Sequence, residues 1–386
     1  MKFNTFIENH SQLNKIKKTS IREVILEHKS LSRYGKNGTK LLISLAEESL
    51  SSKISPLLQW DILSTENSFQ KSINVINQLP LKIFHAVRVQ DIGAAQWIKK
   101  EHPKIPIQLI LETGNHNLTG MHRLSEYFGK QLKRIILSAE LPKSKIIEYS
   151  RSLSIDCELL CVGRILLFYS PRKLLSKYRI LNNSNDFLEE NIFSENQPQK
   201  KFPAIENQHG TFMFFNRDLF LLDFLPELKN SGLSFLRIDL RHMNRSSKWI
   251  KKLDDIIKNF NKNKIDELKS LWPARITHGF FRANRTDLAI KRIKNPFLQN
   301  HSENLVGYVL ESVKEQHIIL IARKTFKCGE LLTAITPEGR KCIIFTDNIK
   351  TSNGIPVDEI QPEKLYQVPH VKYVTAQTLI YRSNKS

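Results

Sequence analysis

The 386 residues carry 59 Lys and Arg against 38 Asp and Glu, a net charge of +21, with 40% hydrophobic residues and only four cysteines. That composition excludes a disordered chain and a disulfide-stapled secreted scaffold, and a charge excess of this size attracts polyanions such as RNA. No apolar run approaches the roughly 20 residues of a membrane span, and the N-terminal MKFNTFIENHSQLNKIKK lacks an apolar signal core, so a cytoplasmic protein with no membrane association is expected.

From Arg22 onward, apolar runs recur: REVILEH, SPLLQWDIL, KIFHAVRVQD, PIQLILETGN, KRIILSAEL, CELLCVGRILL, GTFMFFN and SFLRIDLRH. Segments with apolar residues every three or four positions separate them, at 39–50, 66–79, 92–101, 118–128 and 143–153. This alternation predicts an α/β fold, a TIM-like (β/α) barrel over residues 1–300. No G-x-G-x-x-G or Walker pattern follows a strand, which speaks against an open doubly wound sheet.

Residues 178–208 are polar, rich in Asn and Glu and too long for an ordinary connection, so they read as a loop insert over the barrel mouth. A basic helical stretch follows at 246–272, and 245–294 holds fourteen Lys and Arg against five acids. Lys248, Lys251, Lys252, Arg282, Arg285, Lys291 and Arg292 are the expected nucleic-acid contacts, with structured RNA as the expected partner. Phe280 and Phe281 interleave with these cations and suit either base stacking or core packing. Beyond residue 304, short runs such as LVGYVLES, HIILIARKTF and KCIIFTD between Gly, Pro and Asn turns predict a small β-barrel domain over 304–386.

In such a barrel, the residues just past each strand share one mouth. Glu112, His116, Glu140, His209 and Asp239 are the acid/base candidates there, and Asn115, Arg164, Tyr169 and Arg172 the ligand-binding ones. Asp61, Arg88, Gln90 and Arg237 fall at similar positions, and Asn117 suits a helix cap. Cys157 and Cys161, on one face of a strand roughly 13 Å apart, read as buried thiols. No Cys/His cluster or H-E-x-x-H pattern marks a metal site, and no metal or cofactor is expected.

The run ELLCVGRILLFYSPRKLLS at 158–176 resembles the signature of the collagenase-like peptidase family U32, with Glu158, Gly163, Tyr169, Ser170 and Arg172 matching. PIQLILETGNHN, RIILSAEL, HGTFMFFNRDLFLLDFLPEL, HGFFRANRTD and TFKCGELLTAITPEG continue the similarity in order. The resemblance implies an α/β barrel and, in one branch, a small C-terminal β domain and hydroxylation of pyrimidines in tRNA or ribosomal RNA. In the hydroxylation branches cysteines hold an iron–sulfur cluster; the corresponding positions here are Leu166 and Lys173, so the resemblance implies a protein without that cluster. Three readings stay open: an RNA-modification or RNA-binding protein, a peptidase or other hydrolase as the family label implies, and a non-catalytic barrel scaffold.

Overall fold

The computed structural model describes residues 1–112, 116–176, 187–194, 197–243, 246–282 and 304–383. The chain divides into two compact units, Met1–Lys291 and Arg292–Ser386, and the junction lies outside the described residues.

The strands of the first unit are β1 (Lys2–Phe6), β2 (Glu23–Glu27), β3 (Ser55–Trp60), β4 (Ala86–Val89), β5 (Ile107–Ile110), β6 (Leu132–Leu137), β7 (Asp156–Ser170), β8 (Leu188–Ser194), β9 (Gln197–Asn207), β10 (Gly210–Phe220), β11 (Phe235–Ile238) and β12 (Ile276–Thr277). Strands β1 to β7 pair in parallel in sequence order. β11 pairs in parallel with both β7 and β1, which closes an eight-stranded barrel. The helices are α1 (His10–Ile16), α2 (Thr39–Ser51), α3 (Glu66–Asn77), α4 (Ile92–Glu101), α5 (Leu118–Phe128), α6 (Lys143–Ser152), α7 (Leu225–Lys229), α8 (Ser246–Lys258) and α9 (Lys262–Ser270). Among the described residues five of them start on side chains that satisfy free helical N–H groups; Asp91, for example, accepts from the Ala94 N–H at 3.0 Å and Asn117 from Gly120 at 2.6 Å.

Strand alternation gives the barrel two different fillings. One face of each strand, including Val24, Leu58, Val87, Leu109, Ile135, Leu159 and Leu236, joins the apolar core shared with the helices. The other face fills the lumen, and there Asn4, Glu23, Gln59, Arg88, Gln108, Arg134, Glu158 and Arg237 are all buried. A small apolar cluster of Phe6, Ile25, Leu57 and Ala86 completes that interior.

The structure differs from the sequence expectation in three places. The run GTFMFFN is not a barrel strand. It lies in β10, which turns back antiparallel on the outer half of β7, while the eighth barrel strand is β1, whose Asn4 and Thr5 interrupt any apolar run. Within the expected loop insert at 178–208, the described residues form β8 and β9, an antiparallel continuation of β7 and β10. Glu189, Lys200 and Lys201 there are solvent-exposed polar residues, Glu206 and Asn207 are buried, and cross-strand bonds satisfy the backbone. The stretch 246–272 is two helices, broken before Asn261, whose side chain caps α9.

In the second unit, β13 (Leu305–Val313), β14 (His317–Ala322), β15 (Phe326–Lys327), β16 (Leu332–Ile335), β17 (Lys341–Ile344), β18 (Lys350–Thr351), β19 (Glu359–Ile360), β20 (Leu365–Pro369) and β21 (Leu379–Arg382) are all antiparallel. Seven of them form one sheet, ordered β17-β16-β21-β13-β14-β20-β18, around a core that includes Val306, Leu320, Leu332, Ile344 and Val368. Among the described residues no helix is long and apolar enough to cross a membrane.

Candidate ligand site at the barrel mouth

Glu158 is the hub of the lumen. Its two carboxylate oxygens accept from Arg88 at 2.7 and 2.9 Å, from Asn4 at 2.7 Å and from Arg134 at 3.0 Å, and Arg237 approaches to 3.4 Å. Burial alone would raise its pKa, but the guanidinium of Arg88, with help from Arg134 and the Asn4 amide, outweighs burial and holds it down to about 2. Arg88 is further tied to Gln59 and Gln108, both at 3.0 Å, and Arg134 to Glu23 at 2.8 Å.

Nearer the C-terminal ends of the strands the pairing continues. Arg33 binds Asp61 through its Nε at 2.7 Å and its backbone N–H at 2.9 Å. Arg241 grips Asp239 and also reaches Glu27, both at 2.6 Å, with its guanidinium 3.6 Å over the Phe6 ring. Glu112 pairs with Arg237 and lies 3.7 Å from Arg33. Burial raises Asp239, and Arg241 more than reverses this, leaving it below the usual carboxylate range. Glu27 goes the other way. Burial raises it to about 8, opposed by Arg241 and reinforced by the neighbouring Asp61 and Asp239 carboxylates, so one guanidinium serves more carboxylates than it can neutralise.

Two cavities open on this layer. A narrow chamber of about 40 Å³, room for about one water-sized group, is bordered by Arg33, Asp61, Glu112, Glu140, Arg164, Arg237, Asp239 and Arg241. A wider one of about 270 Å³ shares Arg33, Asp61 and Leu166 with it. Leu63, Leu167, Phe168, Tyr169 and Phe212 line its apolar side, and Gln90 adds an amide. The Tyr169 and Phe212 rings stack at 4.9 Å. The shape follows from β7: past its barrel half the strand runs on into the β arm, so residues 166–169 overhang the mouth. Gly163 makes the exit possible, because at φ +149 a Cβ there would meet the Asp239 carbonyl oxygen at 2.7 Å.

The residues expected at the mouth divide accordingly. Glu112, Glu140, Arg164 and Asp239 border the narrow chamber, and Tyr169 the wider cavity. His116 lines neither cavity but lies beside Glu140, its Nε2 3.8 Å from that carboxylate and without a hydrogen-bond partner among the described residues. Arg164 is held by Glu189 of β8 at 2.9 Å. His209 lines neither cavity; its ring bonds the Lys29 carbonyl at 2.8 Å, and burial lowers its pKa. Arg172 is exposed on the turn after β7, away from both cavities. Asn115 lies outside the described residues.

Of the expected nucleic-acid contacts, Lys248 and Lys251 are exposed on α8, and Lys252 is half-buried with Glu267 at 3.8 Å. Arg282 is exposed and lies 4.6 Å over the Phe224 ring. Arg285, Lys291 and Arg292 lie outside the described residues. Phe281 belongs to the core and Phe280 is half-buried, so packing accounts for Phe281.

Sequence reasoning missed Glu27, Arg33, Gln59, Arg134 and Arg241. A usable signal was present: most barrel strands place one charged or amide residue at the centre of an apolar run, as in AVRV, IQLI and FLRI. Such a residue is costly in a buried strand unless its counterparts sit on neighbouring strands.

The four cysteines divide between the two units. Cys157 and Cys161 lie in the helix-facing core, their thiols pushed by burial to about 12, and Cys328 and Cys342 belong to the second unit. Leu166, one of the positions where the resemblance would put a cluster cysteine, lines both mouth cavities, and Lys173, the other, is exposed. Among the described residues no group of three or more His, Cys, Asp or Glu could hold a metal ion.

Fold and mouth together define a TIM-type α/β barrel with two polar-lined cavities at the C-terminal ends of its strands. The chain belongs to Peptidase family U32, whose profile matches residues 44–291. It is 24% identical over 315 residues to tRNA hydroxylation protein P of Haemophilus influenzae, covering 66% of this chain and 67% of that protein. It is 21% identical over 325 residues to tRNA hydroxylation protein P of Escherichia coli, covering 70% of each. Against tRNA hydroxylation protein P2 of Bacillus subtilis the match is 25% over 120 residues, 29% of this chain and 39% of that one. Among solved structures, a U32 peptidase matches 44% of this chain and 70% of its own at 8% identity and a TM-score of 0.36. The C-terminal domain of a Geobacillus thermoleovorans protein described as a U32 peptidase matches 22% of this chain and 99% of its own, at 15% identity and a TM-score of 0.21.

Proposed function

We propose that this chain is a cytoplasmic RNA-modification protein related to tRNA hydroxylation, that it binds structured RNA, and that it works without a resident iron–sulfur cluster. The observation that carries the reading is the wider mouth cavity. Its aromatic and aliphatic side, with the stacked Tyr169 and Phe212, faces a polar set of Arg33, Asp61 and Gln90. An extruded nucleobase needs that combination: flat apolar contact for its faces, and paired donors and acceptors for its edge. At about 270 Å³ the cavity lies just under the roughly 300–1,000 Å³ of drug-sized ligand sites, which suits one heterocycle.

In this reading Arg33 donates to a base carbonyl, Asp61 accepts from a ring N–H, and Gln90 can do either. His116 and Glu140 form a neighbouring pair able to hold or pass a proton. The exposed Lys248 and Lys251 hold backbone phosphates. The relatives named for tRNA hydroxylation, and a charge excess of which +17 falls in residues 1–291, support the same partner. The cysteine positions within the barrel unit support a cluster-free mouth: Cys157 and Cys161 lie in the helix-facing core, and no cysteine is among the described residues that line either cavity. The peptidase reading finds no comparable support, since Ser138, the only serine or cysteine among the described residues bordering either cavity, accepts from the Glu140 N–H rather than meeting a histidine.

The test compares nucleosides from total tRNA and ribosomal RNA of a strain lacking the protein with those of strains restored by the wild-type chain or by Asp61→Asn. The expected result is a modified nucleoside that disappears in the deletion, returns with wild type and stays absent with Asp61→Asn. Identical profiles in all three strains would overturn the proposal.

A further inference from the structure

The second unit carries only +4 of the chain's +21, so a local gathering of cations there is not a background effect. Arg340, Lys341 and Lys372, all exposed, gather around Tyr373 and β17. The Arg340 guanidinium lies 3.9 Å over the Tyr373 ring and the Lys372 ammonium 5.1 Å from the same ring centre. Tyr373 is 52% exposed. Its backbone is left-handed, with φ +73, a conformation that bulky residues avoid. Packing does not demand a tyrosine on that backbone, since the ring faces solvent, and strain kept at an exposed residue points to a use for the side chain.

The surroundings extend the platform. β17 ends the strand order of the sheet, and its outward residues are Lys341 and Ile343, followed by Phe345 just beyond it. Ile343 and Phe345 are 56% and 63% exposed. The Cys342 thiol reaches the Lys372 carbonyl at 3.8 Å, which ties the Tyr373 turn to this edge.

We infer that Tyr373, with Arg340, Lys341 and Lys372, forms a second RNA contact on the C-terminal unit, one that stacks an unpaired base and pairs the flanking phosphates. An exposed ring flanked by cations, beside further exposed apolar side chains, suits a single strand, whose bases present free faces; a duplex hides them. This rests on the RNA reading of the barrel, and it gives the second unit a share in holding the same molecule.

The test uses the full-length chain and two fluorescein-labelled probes, a mixed-sequence single-stranded 12-mer RNA and a duplex of the same length, titrated across a salt series. Tyr373→Asn is expected to weaken single-strand binding by about ten-fold and Tyr373→Phe to preserve it. Arg340→Gln combined with Lys372→Gln is expected to reduce the slope of log affinity against log salt by about 1.4. Asparagine tolerates the left-handed backbone, so Tyr373→Asn should leave the melting temperature unchanged or raise it. A fall in melting temperature accompanying the loss of binding would assign Tyr373 a structural role and overturn the inference. Unchanged single-strand binding by Tyr373→Asn, where Lys248→Gln with Lys251→Gln weakens it, would overturn the inference and leave the barrel reading standing. A wild-type chain that binds neither probe would overturn both.

Discussion

Glu158 and Leu159 are neighbours on β7 that belong to different interiors. Leu159 enters the apolar layer between strands and helices, where burial is favourable for any side chain of suitable shape. Glu158 enters a lumen of guanidinia, carboxylates and amides, where each charge is tolerable only because named partners surround it. TIM barrels usually fill that lumen with branched aliphatic residues. The outer layer stabilises the fold by burying apolar surface, while the lumen is a preorganised electrostatic framework, leading up to the mouth, in which each charge depends on its partners.

Truncation should expose the contrast most strongly. Glu158→Ala leaves Arg88 and Arg134 without their shared carboxylate and is expected to cost about 3–5 kcal/mol in urea unfolding of the full chain. Leu159→Ala, one residue away, opens a cavity in the apolar layer and should cost about 2–5 kcal/mol. The sharper distinction is in pH. The Glu158 contribution is complete above its ordinary pKa of 4.5 and declines as pH falls from there through about 2, so the two variants should converge toward wild type differently in acid. If Glu158→Ala keeps its full deficit at pH 2.5, the lumen network does not act as described.

A smaller effect of opposite sign belongs to Glu27. Its folded pKa of about 8 lies above the ordinary 4.5, so the folded chain holds a proton that the unfolded chain has released, and stability should fall as pH rises from about 4.5 to 8. Glu27→Gln should flatten that part of a melting-temperature profile; an unaltered slope would remove Glu27 from the account. Smallest is the thiol chemistry: Cys157 and Cys161 should resist a thiol reagent at pH 8 in the folded chain and react fully once it is unfolded in urea.

Much of this was legible in the sequence because period and capping are local. Segments 92–101 and 118–128 match α4 and α5 end to end, and Asn117 caps α5 as its position implied. The eighth barrel strand was not legible: Lys2–Phe6 is short and carries Asn4 inward, whereas the more apolar β10 belongs to the arm, and which strand pairs with which is decided over distances that no local window contains. The same limit applied at the mouth. Glu112, Glu140 and Asp239 could be found from their positions after strands, but Arg33 and Arg241 reach it from farther along their loops. His209, equally polar, turned instead to the Lys29 carbonyl.

The most direct test of the central claim is photocrosslinking. Transfer RNA carrying 4-thiouridine is irradiated with the full-length chain, and the crosslinked peptides are mapped. The expected result is a crosslink within residues 166–169 of the mouth that is lost with Asp61→Asn. Crosslinks confined to surfaces away from the mouth, or none at all, would contradict it.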